Sequence, residues 1–419
     1  MKQWAGAAEH HVDPERLWAR HMELATVGGL ANGGVDRQAL TPEEGRARAM
    51  VVAWARAIDL TPATDPVGNL FLRYAGQQPE ARPLMAGSHL DTQPIGGRFD
   101  GVYGVLAVLE AMTALRGMGW EPERPIDLVM WTNEEGCRFA PTTMGSSAFA
   151  GALSLDDVLA TRDDAGVSVA EALDGVAKIL GPIPSRPLGF PVHAFLEIHI
   201  EQGPMLEAHG CPVGVVTGVQ GLRWFDIDVR GQAGHAGTTP ENHRRDALVT
   251  ALRILGALRE FMFGSADRQD VRFTVGRFEV LPGAPNTIPG RVRFTIDLRH
   301  PDADRLRDLG DAIEGICERL AEPCAVLVEA GQVSPPIHFD NAMIRLLDEA
   351  AQAENIQPLH MMSGATHDAK WLSTVAPTGM LFVPCGGGIS HNEAETADLE
   401  DLVVGTRVMC RALRELSAA

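Results

Sequence analysis

The chain has almost no lysine. Lys2, Lys178 and Lys370 are the only ones in 419 residues, so nearly all positive charge is arginine. Positive charge is itself short: 36 Lys and Arg stand against 55 Asp and Glu, a formal net charge of −19. With no basic block, nucleic acid and anionic membrane are poor partners. No run of about 18 apolar residues occurs, which leaves no candidate for a membrane-spanning helix. The opening Met-Lys-Gln-Trp-Ala-Gly lacks the apolar core of a secretory leader. The six cysteines form no C-x-x-C pair. A chain of this size gains little from disulfides, so reduced thiols and a cytoplasmic location are expected. Repeats and low-complexity tracts are lacking too. What remains is a 45% hydrophobic chain, long enough for two or more domains with a large core.

The first ~65 residues read as helices. Thr41-Pro42-Glu43-Glu44 supplies an N-cap, a proline at the first helical position and acids in the first turn. Strand-like runs follow near Asn69–Tyr74 and Pro83–Ser88, then a long apolar helix over Val102–Arg116. Ile126–Trp131 and Phe195–Ile200 read as buried strands. Strands alternating with helices predict an α/β sheet covered on both faces. Gly221 to Ala330 has a different rhythm: a strand over Leu222–Val229, a helix over Asp246–Phe263, strands over Val271–Val280 and Arg291–Leu298, a helix over Asp302–Leu320 and a strand over Ala325–Val328. That order is the split βαβ, ferredoxin-like unit. α/β material resumes near Ser334, with a helix over Asp340–Glu354, a strand over Met380–Pro384 and a last helix over Leu399–Leu416. The expectation is a discontinuous catalytic domain, residues 1–220 and 331–419, carrying an inserted domain at 221–330.

Five side chains stand out as candidate metal ligands: His89, Asp100, Glu135, His199 and His391. Imidazoles mixed with carboxylates suit Zn, Mn, Co or Ni, and a carboxylate can bridge two ions. Each residue alone also fits an ordinary role. His89 with Asp91 fits a solvated strand end, although Asp91 could instead fix the tautomer of His89. Asp100 follows Gly96-Gly97-Arg98-Phe99 and fits a helix N-cap. Glu134 and Glu135 fit an acidic turn after Leu128-Val129-Met130-Trp131. His391, after three glycines, fits a loose loop. His199 sits between Ile198 and Ile200 with Glu197, Glu201 and Gln202 crowded at the same strand end. That much buried polarity is costly unless paired or ligating.

Six blocks taken together resemble the metal-dependent amidase branch of the M20 peptidase family. They are Gly-Ser-His-Leu-Asp-Thr, Phe-Asp-Gly-Val-Tyr-Gly, Thr-Asn-Glu-Glu-Gly-Cys-Arg-Phe, His-Ile-Glu-Gln-Gly-Pro, Gly-His-Ala-Gly-Thr-Thr-Pro and Gly-Ile-Ser-His-Asn-Glu. The resemblance runs from about Gly29 to the C-terminus. That branch holds N-carbamoyl-L-amino acid hydrolases, bacterial-type β-ureidopropionases and allantoate amidohydrolases.

The resemblance implies a zinc-peptidase-like catalytic domain, with the inserted ferredoxin-like domain as lid and dimerisation element. It implies two divalent ions. His89 and Glu135 belong mainly to separate ions, shared with His199 and His391, and Asp100 bridges. Glu134 matches the general base and His235 the residue that steadies the oxyanion. Asn286 and Arg299 match residues that hold the substrate carboxylate, and Gln202 one near the carbamoyl amide. Thr366-His367-Asp368 departs from a more frequent Gly-His-Asp. The implied substrate is a small ureido acid, and the implied assembly is a homodimer whose lid His reaches the partner's metals. Allantoate amidohydrolase, an aminoacylase or dipeptidase, and a metal- or amino-acid-binding protein with a decayed site are the alternatives. The intact Glu134 argues against decay.

Overall fold

A computed structural model describes residues 8–264 and 268–418. It divides into two compact units, one running to Thr217 and resuming at Phe339, the other Gly218–His338. The sequence-based boundaries were 221 and 330. The second lies eight residues short of the observed one because the strand expected at Ala325–Val328 continues to Ser334.

The larger unit is built on a mixed sheet. In spatial order its main strands are Thr61–Thr64, Leu70–Tyr74, Ile126–Trp131, Leu84–His89, Ala194–Ile200, Thr378–Val383 and Gly214–Val219, and Leu359–Ser363 also pairs with the last. The four from Ile126–Trp131 to Thr378–Val383 run parallel, and their outer neighbours are antiparallel. The parallel four are buried along their whole length. Their near-continuous apolar sequences follow from burial on both faces. Polar side chains buried in them have partners: Asp127 is matched by two points of Arg73 and one of Arg186, and Glu197 by Ser88.

The helix Val102–Gly117 is apolar nearly all round and lies against the sheet and the C-terminal helix Leu399–Ser417. Gly104 makes the close approach possible, since a Cβ there would overlap the carbonyl oxygen of Ile198. At the N-terminus, Glu110 accepts two points from Arg16 and the backbone N–H of Asp13, which pins the helix Pro14–Ala25.

The smaller unit has strands Gly221–Arg230, Arg291–His300 and Ala325–Ser334, and helices Ala247–Phe263 and Ala303–Arg319. The single strand expected over Val271–Val280 is two, Arg272–Thr274 and Phe278–Leu281, both paired with Arg291–His300. Val275-Gly276-Arg277 interrupts the run. All pairings are antiparallel, and Ala325–Ser334 lies at one edge beside Gly221–Arg230. The unit has its own core of Phe225, Ile227, Ile254, Leu258, Phe294, Ile296 and Ile313.

Candidate metal centre

Candidate ligands come from the carboxyl ends of the parallel strands, where α/β sheets bind their ligands. Leu84–His89 ends on His89. Ile126–Trp131 runs straight into Glu134 and Glu135. His199 is the penultimate residue of Ala194–Ile200, and the loop after Thr378–Val383 carries His391. Asp100 lies in the turn before Val102–Gly117. That helix is capped by Gly101 without a side-chain bond, so the N-cap role open to Asp100 is not taken.

These side chains converge as two groups that share one carboxylate. His89, Asp100 and His199 form one, and Asp100, Glu135 and His391 the other, each with its donor atoms within 4.8 Å of one another. Asp100 Oδ1 lies 3.1 Å from His199 Nε2 and 3.9 Å from His89 Nε2. Its Oδ2 lies 3.2 Å from His391 Nε2, which is 3.5 Å from Glu135 Oε2. Glu134 Oε2 stands 3.5 Å from His89 Nε2.

The frame around these groups is specific. Gly101 has φ +66°, and a Cβ there would overlap the His89 imidazole. Only glycine allows both the backbone turn and the ring. The Nδ1 of His89 meets the backbone carbonyl of Asp91 at 2.9 Å, while the Asp91 carboxylate is 3.7 Å away. Asp91 thus orients His89 through its main chain. Its carboxylate instead accepts the backbone N–H groups of Glu134 and Glu135, holding the acidic turn in place. Gln93 donates to Glu135 Oε2 at 2.6 Å. Gln202, with φ +56°, donates to Asp100 Oδ2 at 2.9 Å.

Several neighbours take parts that the sequence analysis left unassigned. Glu197, on the same strand face as His199, accepts from Ser88 Oγ and from the backbone N–H of Ala369. The His367 ring lies 4.6 Å from that of His199. Glu395, 3% exposed, accepts from the backbone N–H groups of Phe99 and Asp100 and from Ser390 Oγ. Glu197 stands out as buried polarity on an apolar strand, but nothing in periodicity or composition marks Glu395. They matter only through contacts between segments far apart in sequence.

The charge pattern fits cation binding. Burial pushes His89 down to about 4. Burial opposes charge on His199 as well, but Asp100 and Glu197 outweigh it and raise this residue to about 9. The hydrogen bond to Asp100 lifts His391 to about 9. Burial, with the charge of Asp100, lifts Glu135 to about 8. Glu134 is raised well above the usual carboxylate range, first by burial and then by Asp368, Glu135, Asp91 and Asp100. Asp100 stays well below that range, because the bonds from His199 and His391 overcome its burial. So many buried acids in one place cannot all ionise without cations. Glu135 Oε1 is buried with no hydrogen-bond partner among the described residues, as expected of an atom that ligates something else. Nitrogen and oxygen donors in this mixture suit a first-row divalent ion.

In the smaller unit, Gly234–His235 pairs with Thr287–Ile288, with Thr287 opposite His235. The backbone N–H of Ala236 donates to the carbonyl of Asn286. His235 and Asn286, both exposed, are therefore neighbours. This ladder extends the end of the sheet where Arg230 faces Arg291. Arg299 pairs with Leu222 at the other end, eight residues along its strand from Arg291. At about 3.3 Å per residue that separation is roughly 26 Å. The structure brings His235 and Asn286 together and keeps Arg299 apart.

A mixed α/β sheet whose strand ends gather two candidate metal-holding groups beside a buried acid places the chain among hydrolases of the metallopeptidase class. More narrowly, it belongs to peptidase family M20/M25/M40, which residues 85–415 match. It is 38% identical over 416 residues to an N-carbamoyl-L-amino-acid amidohydrolase of Rhizobium meliloti, covering 98% of each chain. It is 34% identical over 399 residues to an allantoate amidohydrolase of Bacillus subtilis, covering 94% of this chain and 95% of the relative. The crystal structure of an amidase of the hydantoinase/carbamoylase family from Burkholderia multivorans superposes with a TM-score of 0.92. That protein is 42% identical, with 97% of this chain and 98% of that one covered.

Proposed function

We propose that the chain hydrolyses the ureido C–N bond of N-carbamoyl-L-amino acids, or of N-carbamoyl-β-alanine, giving the amino acid, ammonia and carbon dioxide. It is a hydrolase of amide C–N bonds, as its likeness to amidohydrolases along nearly the whole chain supports. One observation carries the reading: the two candidate metal groups share Asp100, with the unligated acid Glu134 3.5 Å from His89.

His89, Asp100 and His199 would hold one divalent ion, and Asp100, Glu135 and His391 a second, either of them Zn, Mn, Co or Ni. A bound pair supplies Lewis acidity toward the carbonyl and acidifies water. Glu134 takes the proton from that water and delivers it to the leaving nitrogen. Its burial, and then its crowding by other acids, raises its affinity for a proton as suits a general base. His235 donates toward the developing oxyanion, where a placed donor contributes most. Arg299 offers a planar fork to the substrate carboxylate. Asn286 assists at the carboxylate and Gln202 at the carbamoyl amide.

The unit Gly218–His338 serves in this reading as a ferredoxin-like lid that also pairs two copies. Its β-α-β-β-α-β order supports this, as does its outer strand Ala325–Ser334, hydrogen-bonded on one side among the described residues. Val249 and Leu252 are more than half exposed on the helix Ala247–Phe263. Long edges and apolar patches of this kind favour pairing. The distance across the lid changes one part of the expectation. A small ureido acid cannot span roughly 26 Å, so His235 and Asn286 cannot serve the same substrate as Arg299 from one chain. His235 and Asn286 reach the partner's site, and Arg299 serves its own.

Allantoate is the second candidate substrate, favoured by the Bacillus relative. A turnover panel decides between them, run with each added metal on N-carbamoyl-L-methionine, N-carbamoyl-β-alanine, allantoate, N-acetyl-methionine and a dipeptide. The reading holds if the N-carbamoyl amino acids turn over fastest. It fails if allantoate or the acyl substrates do.

A further inference from the structure

One buried carboxylate joins the two halves of the candidate metal centre across nearly three hundred residues. Glu395 Oε1 accepts the backbone N–H of Phe99 at 2.8 Å and that of Asp100 at 3.1 Å. Its Oε2 accepts Ser390 Oγ at 2.8 Å, and the same hydroxyl lies 3.1 Å from Asp100 Oδ2. Ser390 immediately precedes His391. The approach needs the glycine at 97, because a Cβ there would overlap the Glu395 carboxylate. The pair Gly96-Gly97 before Asp100 thus has a physical purpose beyond loop flexibility.

We propose that Glu395 is a positioning residue that locks the Phe99–Asp100 turn to the loop carrying His391. Asp100 can be shared by both donor groups only if its backbone and the His391 loop keep a fixed relation. His391 needs such a tie most. Its side chain is about half exposed, whereas those of His89 and His199 are buried within the sheet ends. Residues that orient ligands in this way commonly set metal affinity. The proposal rests on the reading of the two groups as metal sites.

The test is Co²⁺ titration of the metal-free protein, followed by calorimetry and visible absorption. Wild type, Glu395→Ala, Glu395→Gln and Ser390→Ala are compared, and the melting temperature of each metal-free protein is recorded. Wild type is expected to take two ions. Glu395→Ala should weaken the second ion by roughly 10–100-fold while keeping the first. Glu395→Gln retains an acceptor for the two N–H groups and should restore most of that affinity. Ser390→Ala leaves Glu395 on the Phe99–Asp100 turn and removes the hydroxyl by which the His391 loop meets Glu395, Asp100 and Gln202. It should also weaken the second ion, with an unchanged melting temperature, and it stands in should Glu395→Ala not fold. Two ions bound by the variants as tightly as by wild type would overturn the proposal. So would equal loss of both ions in step with a lowered melting temperature, which marks a purely structural role. Fewer than two ions on wild type would instead overturn the metal reading, and the proposal with it.

Discussion

Arg299 grips Asp297 at two points, Nε to Oδ1 at 2.9 Å and a terminal NH to Oδ2 at 2.8 Å. The two residues are neighbours on one face of the strand Arg291–His300. The fork assigned to the substrate carboxylate is therefore already presented to a carboxylate. Both side chains are 28% exposed. The pair is part-buried, and in the proposed function the substrate carboxylate takes the place of Asp297 on the fork.

Arg299→Ala should then raise KM for N-carbamoyl amino acids. A charge-assisted hydrogen bond is worth about 1.5–3 kcal/mol, so the rise should be roughly tenfold or more. The control substrate carries an amide in place of the carboxylate and should be nearly indifferent. Equal losses on both substrates would assign Arg299 to the fold alone.

Glu134 is the acid nearest the first donor group that belongs to neither group. Glu134→Gln should keep both metals, as read by elemental analysis of the purified protein. Its kcat should fall by roughly 10²–10⁴, the usual share of a general base. Loss of metal from this variant, or near-normal turnover, would remove Glu134 from the role.

Much of this architecture could be read from the chain, for identifiable reasons. Buried parallel strands write themselves as apolar runs, so Ile126–Trp131 and Phe195–Ile200 stand out. The metal donors stood out because His and Glu interrupt or end those runs. Other features could not be read in one dimension. Asp100 fits an N-cap until the structure puts Gly101 there instead. Asp91 beside His89 suggests a carboxylate–imidazole bond, yet the main-chain carbonyl takes that place. Glu395 lies four residues beyond His391, and the exposed Glu393 between them draws attention first. Its partners Phe99 and Asp100 are adjacent to it only in the folded chain.

The protons on the metal-free centre give a pH prediction. His199 and His391 are raised to about 9 and Glu135 to about 8, so all three bind protons at pH 7. A metal ion needs the deprotonated donors and must displace those protons. Metal uptake near pH 7 should release protons, visible by calorimetry as a heat that depends on the buffer. Affinity should climb as pH rises toward 9 and level off above it, where no protons remain to displace. His89, pushed down to about 4, adds nothing across this range because it is already neutral. An affinity flat between pH 6 and 9 would contradict this proton inventory.

The separation of His235 from Arg299 predicts which defects can rescue each other. If lid residues on one chain served one site, variants of His235 and Arg299 would behave alike in mixtures. The strand registers keep them apart within one unit, and the proposed function divides them, with His235 and Asn286 acting on the partner and Arg299 at home. Mixing His235→Ala with Glu134→Gln under conditions of subunit exchange should restore activity. In the mixed dimer, the first chain keeps its own Glu134 and Arg299 and receives an intact His235 from the second. One of the two sites in each such dimer is then complete. Mixing Arg299→Ala with Glu134→Gln should restore nothing. The only site with an intact Glu134 then lacks its own Arg299, which the partner cannot supply. Recovery in both mixtures would place Arg299 across the interface as well. Recovery in neither, despite proven exchange, or a monomer at assay concentration, would end the case for a shared site.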